Sequence, residues 1–161
     1  EERSHGSNSR RAVVNMRVVF DTNVIVSGFL WRGSPRTLCG FIREQRMRLC
    51  LTPAIIEEIR RVLTYPKLAK KLELENITHQ EFLKEVLNGS MLFPDTQFVA
   101  PIRKDPTDNI FLNCAIVSDA KWIVSGDRHL LELGEFANIR IVTPAHFLRI
   151  VQKMRETRHL E

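Results

Sequence analysis

The chain has 161 residues, of which 43% are hydrophobic and 27% charged, and its formal net charge is +5 at pH 7. This length and composition indicate one globular domain with a substantial core. No apolar run reaches the roughly 20 residues of a membrane-spanning helix. The positive charge favours anionic partners without identifying one. The polar N-terminal segment lacks the apolar stretch of a signal peptide, so we expect a cytoplasmic protein.

The predicted domain covers residues 16–151. Residues 1–15 are expected to be a leader that is disordered or was added for expression, because they lack periodic apolar positions. Residues 152–161 are charged and are expected to be a flexible tail. The three cysteines lack metal-ligand spacing and are expected to be buried free thiols: Cys39, Cys50 and Cys114. The histidines form no close pair, which argues against zinc.

The domain alternates short apolar runs with helical patterns, which is typical of an α/β fold with a parallel sheet. The predicted strands are Arg17–Phe20, Arg48–Leu51, Trp122–Val124 and Ile139–Val142, with residues 98–100 as a further strand or an extended connection. The predicted helices are Asn23–Leu30, Pro35–Gln45, Pro53–Leu63, Pro66–Leu72, His79–Leu87, Pro106–Ala120, Arg128–Leu133 and Pro144–Met154. Four helix starts place a capping residue before a proline, namely at Ser34, Thr52, Asp105 and Thr143.

The first predicted strand ends at Asp21. Ligands of open α/β sheets bind beyond the carboxyl ends of the strands, so Asp21 is a candidate site residue. The alternative is that Asp21 only caps the next helix. Asn23 could bind a metal-bound water, orient a neighbouring carboxylate, or cap that helix.

The helix predicted from Pro53 offers two adjacent acids. At about 100° per residue, Glu57 falls opposite the apolar stripe of this helix, whereas Glu58 falls at the edge of the stripe. Glu58 is therefore the acid that could reach a cleft beside the sheet. The alternative is that both are first-turn acids favoured by the helix dipole.

The second half of the chain offers two further acids. Asp108 is in line with the buried stripe of its helix, where an acid is costly unless it reaches a cleft or a partner. Asp105 fits the N-cap of that helix. The strand Trp122–Val124 is followed by Ser125, Gly126 and Asp127, so a second acid follows a strand end. Ser125 could position a neighbouring group or simply form a tight turn.

Four carboxylates could thus converge at one edge of the sheet: Asp21, Glu58, Asp108 and Asp127. Such a cluster needs cations to neutralise it, and oxygen ligands suit Mg²⁺ or Mn²⁺. These ions stabilise charge on a phosphoryl group and activate water, so no serine, cysteine or histidine nucleophile is required. Basic residues near the same edge are candidates for RNA phosphate contacts: Arg32, Arg36, Lys104 and Arg128.

The order and spacing of these segments resemble the motifs of the PIN domain. The segments are Val18–Val24, Glu58, Asp105–Asn109, Val124–Asp127, Arg128–Leu131 and Thr143–Phe147. The resemblance spans roughly residues 16–150.

This resemblance implies a three-layer α/β/α sandwich around a central parallel sheet, and a Mg²⁺- or Mn²⁺-dependent endoribonuclease. It assigns the acids of the family to Asp21, Glu58, Asp108 and Asp127, and its polar helpers to Asn23 and Ser125. Many small prokaryotic members are VapC-like toxins. The resemblance therefore also implies an RNA substrate, a cognate antitoxin and a homodimer, with no membrane partner.

Two other functions fit parts of the pattern. A haloacid-dehalogenase-like phosphatase also has an Asp after its first strand, but it uses a second Asp two positions later. Asn23 is at that position, so the proton donor would be missing. A non-catalytic PIN-like module that binds RNA or protein is the other alternative, although it would not need a full set of acids.

Overall fold

The computed structural model describes residues 16–97 and 106–157, with the side chains of residues 106–108 excepted. The described part has a six-stranded sheet of order β3-β2-β1-β4-β6-β5. All neighbours are parallel except β5, which is antiparallel to β6. The strands are β1 (Arg17–Phe20), β2 (Arg48–Leu51), β3 (Ser90–Leu92), β4 (Trp122–Val124), β5 (Glu135–Phe136) and β6 (Ile139–Val142).

The four strands predicted with defined bounds are confirmed at those bounds, whereas the short edge strands β3 and β5 were not predicted. The extra strand suggested at residues 98–100 lies outside the described residues. The described helices are α1 (Thr22–Leu30), α2 (Ser34–Arg43), α3 (Pro53–Leu63), α4 (Pro66–Leu74), α5 (His79–Leu87), α6 (Pro106–Ser118), α7 (Arg128–Leu133) and α8 (Pro144–Glu156). Helix α8 thus extends into the segment that was predicted as a tail.

Two contacts show that helices cover both faces of the sheet. The guanidinium of Arg17 in β1 donates a hydrogen bond of 2.7 Å to the carbonyl of Ser118 in α6. The next residue, Val18, points to the other face and pairs with Trp122 in β4. The Trp122 ring contacts Phe147 of α8, with 5.4 Å between ring centroids. Because successive strand residues alternate between faces, α6 and α8 lie on opposite sides of the sheet. The predicted three-layer α/β/α sandwich is confirmed.

The caps predicted before prolines are partly confirmed. The hydroxyl of Thr52 accepts from the Ile55 amide, and that of Thr143 accepts from the His146 amide. The prediction for Ser34 is wrong, because α2 is capped by Gly33 and Ser34 is its first helical residue. Gly33 has a φ of 124°, which other residues rarely adopt. Asp105 lies outside the described residues.

The cysteine prediction is confirmed, since Cys39, Cys50 and Cys114 are all buried and free. Burial raises the pKa of the Cys39 thiol to about 12, so this thiol is unreactive at neutral pH. No helix within residues 16–97 and 106–157 is long and apolar enough to cross a bilayer.

The sheet register fixes where the candidate site lies. Phe20, the last residue of β1, pairs with Val124, the last residue of β4. The ladder then continues by one residue on each strand. The Asp21 amide donates to the Val124 carbonyl at 3.0 Å, and the Ser125 amide donates to the Val142 carbonyl at 3.0 Å. Asp21 and Ser125 therefore meet at the carboxyl edge of the sheet.

Candidate active site

The carboxylate of Asp21 is the centre of the site. Asp21 is only 4% exposed, and it is the N-cap of α1 in an extended backbone conformation. Its Oδ1 accepts from the Val24 amide at 2.8 Å. Its Oδ2 accepts from the Ser125 hydroxyl and from the Gly126 amide at 3.2 Å. Oδ2 thus uses both of its lone pairs, whereas Oδ1 keeps one free.

Ser125 connects Asp21 to the second acid. Its side chain is fully buried, and its hydroxyl donates to Asp21 while accepting from the Asp127 amide at 2.9 Å. Asp127 is half-buried and caps α7, where its Oδ1 accepts from the His129 amide at 2.7 Å. Asp21 and Asp127 therefore each cap a helix at the same edge of the sheet. The positive end of a helix dipole favours a negative charge at such a position.

The environment of Asp21 raises the pKa of its carboxyl group. Burial is the main cause, because it disfavours the charged form. The hydrogen bonds from Ser125, Val24 and Gly126 act in the opposite direction, and the negative charge of Asp127 adds a smaller upward contribution. We expected crowding of four acids to raise a pKa, but at Asp21 desolvation contributes more than the neighbouring acid Asp127.

Burial of the two adjacent acids of α3 agrees with the helical periodicity, which put Glu58 at the edge of the buried face and Glu57 toward solvent. The Glu57 side chain is 70% exposed and pairs with Arg60, whereas the Glu58 side chain is 14% exposed. In the described structure Glu58 Oε2 binds Arg61 Nη2 at 2.7 Å. No described hydrogen bond joins Glu58 to Asp21 or Asp127, so its role as a third ligand stays a prediction.

The remaining predicted residues of the site have different surroundings. Asn23 is exposed within α1, and its side chain makes no hydrogen bond to the described residues. Its predicted capping role is wrong, because Asp21 caps this helix. Helix α6 begins at Pro106 as predicted, but the side chain of Asp108 lies outside the described part.

The predicted phosphate-binding residues are partly described. Arg32 is exposed in the turn between α1 and α2, and Arg36 is exposed in α2. Arg128 is exposed beside Asp127 and pairs with Glu132 at 3.0 Å. Lys104 lies outside the described residues. The three described arginines are accessible to an anionic ligand.

Two backbone donors of the site were not predicted, namely the amides of Val24 and Gly126. A signal for the first is present in the sequence. An Asp that ends a strand and begins a helix commonly accepts from an amide of the first turn. The second has no such signal, because it depends on two chain segments that are 105 residues apart.

The donor set at Asp21 fits a hard divalent cation. Asp21 is a buried carboxylate with no ion pair to a cationic side chain in the described part of the chain. Oxygen ligands of this kind suit Mg²⁺ and Mn²⁺. Asp21 and Asp127 are only two acids, however. The described side chains contain no cluster of three or more His, Cys, Asp or Glu residues that could hold a metal. A complete site would need Glu58 or Asp108 as well.

Comparison with known proteins identifies the family to which the chain is similar. A family model described as PIN domain matches residues 17–129. This range contains all four of the candidate acids. An uncharacterized protein of Methanocaldococcus jannaschii is 29% identical over 154 residues, and the alignment covers 87% of this chain and 94% of that protein.

Proposed function

This chain belongs to the PIN domain family, whose fold is of the nuclease type, and on that basis we propose that it is a divalent-metal-dependent endoribonuclease. The observation that supports the proposal is the buried Asp21 carboxylate beside Asp127, at the edge of the sheet where α/β folds bind ligands. Such a buried charge is costly unless a cation or a proton compensates it.

In the proposed mechanism, Asp21 and Asp127 hold the cation, and Glu58 and Asp108 complete the ligand set. A bound Mg²⁺ or Mn²⁺ would stabilise charge on the scissile phosphate and lower the pKa of the attacking water. Ser125 is a positioning residue, because its hydroxyl occupies Oδ2 of Asp21 and leaves the free lone pair on Oδ1 for the cation. Glu58 would have to leave Arg61 to join the site.

The test is cleavage of a mixed single-stranded RNA with Mn²⁺, with Mg²⁺ and with EDTA. We expect cleavage only with metal, and its loss in Asp21→Asn. Asp119→Asn is a matched control, because the Asp119 side chain is 80% exposed and pairs with Lys121 near the start of β4. Full metal-dependent cleavage by Asp21→Asn would refute the assignment of this residue.

A second pair of variants tests the third acid. Glu58→Gln should lower the rate of cleavage at limiting metal concentration, whereas Glu57→Gln should not, because the Glu57 side chain is directed to solvent. Equal activities would remove Glu58 from the ligand set and leave the remaining acids in place.

We further propose that the protein is the toxin of a toxin–antitoxin pair, acts as a homodimer and is neutralised by a cognate antitoxin. The support is its family and its size, which resemble those of VapC-like toxins. Induced expression in a bacterial host should arrest growth, and Asp21→Asn should abolish the arrest while Asp119→Asn retains it. Light scattering of the purified protein should give the mass of a dimer. Normal growth with a fully active nuclease would refute the toxin role alone.

A non-catalytic RNA- or protein-binding module is the competing function. The observation that favours it is that both described acids already have a structural role, as helix N-caps. RNA retention in a gel shift, with no cleavage under any metal condition, would support this alternative.

A further inference from the structure

Trp31, a half-buried aromatic residue at the end of α1, lies close to two lysine side chains. The ammonium nitrogens of Lys67 and Lys71, both in α4, each lie 5.7 Å from the centre of the Trp31 ring. Lys71 also binds Glu75 at 2.9 Å. Lys67 takes part in none of the ion pairs formed among the described residues. Arg32 is exposed next to Trp31. We call these four residues, Trp31, Arg32, Lys67 and Lys71, the Trp31 patch.

The Trp31 patch lies at the opposite end of α1 from Asp21, which caps this helix. Helix α1 itself leads from Asp21 to the patch, over about 15 Å at 1.5 Å per residue.

We infer that the Trp31 patch binds the single-stranded RNA substrate, one helix length away from Asp21. A nucleotide satisfies both features of the patch, because its base can stack on the indole and its phosphates can pair with the lysines. A second aromatic side chain, Tyr65, caps α4 two residues before Lys67 and is 48% exposed. The inference rests on the proposed function, since it names how the substrate of that nuclease is held.

The tryptophan content of the chain permits a direct test. Trp31 and Trp122 are its two tryptophans, so in a Trp122→Phe protein all the indole emission comes from Trp31. A single-stranded oligouridine is titrated in EDTA, where no metal-dependent cleavage can occur. We expect quenching of the emission that weakens as salt is added, because phosphate contacts release counterions.

Substitutions then measure the contribution of the patch. Trp31→Ala should weaken oligouridine binding roughly 5- to 150-fold, as loss of one stacked base implies. Lys67→Gln with Lys71→Gln should weaken it by at least a similar factor and reduce its salt dependence. This pair keeps the aromatic ring, so it remains informative if Trp31→Ala is unstable. Lys121→Gln is the matched control, because Lys121 is exposed at the amino edge and should have no effect.

The outcomes separate this inference from the proposed function. An RNA that binds without quenching Trp31, or that binds the lysine variants as well as the control, would overturn the inference, and so would the absence of any RNA binding. Preference for anionic lipid vesicles over oligouridine would also overturn it. Loss of cleavage in Asp21→Asn together with normal RNA binding by the patch variants would support the proposed nuclease and refute RNA binding by the Trp31 patch. RNA binding at the patch without metal-dependent cleavage would support the patch and refute the nuclease.

Discussion

Ser125→Ala tests the contribution of one hydroxyl group of the site to stability. The substitution removes the hydroxyl that donates to Asp21 and accepts from the Asp127 amide. The Asp21 Oδ2 atom keeps the Gly126 amide as a donor, and the strand ladder through the Ser125 backbone is unchanged. The effect should therefore come from two lost hydrogen bonds, one of them to a buried carboxylate.

The size of the effect follows from these two bonds. A hydrogen bond to a charged group contributes about 1.5–3 kcal/mol and a neutral one about 0.5–1.5 kcal/mol. The Asp127 amide is only part-buried, so water can replace part of its loss. We therefore expect the free energy of unfolding to fall by about 2–3 kcal/mol at neutral pH. The loss should shrink on acidification, because a protonated Asp21 depends less on the donated hydrogen bond.

The measurement is urea unfolding in EDTA at neutral and at mildly acidic pH. Ser118→Ala is the matched control. Ser118 is equally buried, but the partners of its hydroxyl are neutral groups, namely the Ala115 carbonyl, the Ala120 amide and the Cys50 thiol. The control should lose about 1 kcal/mol at both pH values. A loss below about 0.5 kcal/mol for Ser125→Ala, or a loss that grows on acidification, would refute the reasoning.

Three further predictions concern the site and its support. The first concerns the difference in free energy of unfolding between the wild type and Asp21→Asn, measured in EDTA. This difference should increase in favour of the wild type as the pH falls from neutrality, because the raised pKa of Asp21 lets the folded state bind a proton before the unfolded state does. Parallel pH profiles of the two proteins would contradict this. Millimolar Mn²⁺ should raise the melting temperature of the wild type and not that of Asp21→Asn, by mass action on the folded state; an equal rise in both would place the ion elsewhere. Gly28→Ala should destabilise the fold, because the added Cβ would lie 2.3 Å from Cys39 Sγ and 2.9 Å from the Pro35 carbonyl. We expect a loss of about 1–2 kcal/mol, which is the cost of overpacking reduced by the higher helix propensity of alanine. A thermal melt that shows no loss would refute the close packing.

The sequence predicted most of the sheet because the central strands have strong local signals. The strands from Arg17, Arg48, Trp122 and Ile139 are apolar runs with defined ends, and they are found at the predicted bounds. The two missed strands have no such signal. Ser90–Leu92 is a three-residue edge strand, and Glu135–Phe136 is a two-residue strand whose pairing depends on the turn that follows it.

The helix ends were predicted less well, for a local reason. Gly33, Ser34 and Pro35 offer two successive capping residues before one proline. The backbone uses Gly33, because the turn requires a positive φ that glycine supplies. Sequence spacing alone does not distinguish the two starts.

The candidate site was predicted in its residue types but not in its connections. Periodicity distinguished Glu58 from Glu57, and strand ends indicated Asp21 and Asp127. The link through Ser125 depends on the pairing of β1 with β4, which are more than 100 residues apart in the chain. No local pattern encodes that pairing, so the hydrogen bond from Ser125 to Asp21 could not be predicted from the sequence.

The pairing of Phe20 with Val124 limits how this protein can be altered. A deletion of one residue inside β4 would preserve a short strand but shift every following residue by one position and to the opposite face. An apolar side chain or a glycine would then replace the Ser125 hydroxyl beside Asp21. Length changes in a surface turn, such as the one between α4 and α5, leave this alignment intact. Grafting and loop-exchange experiments should therefore keep the strand lengths fixed and vary the chain only at such turns.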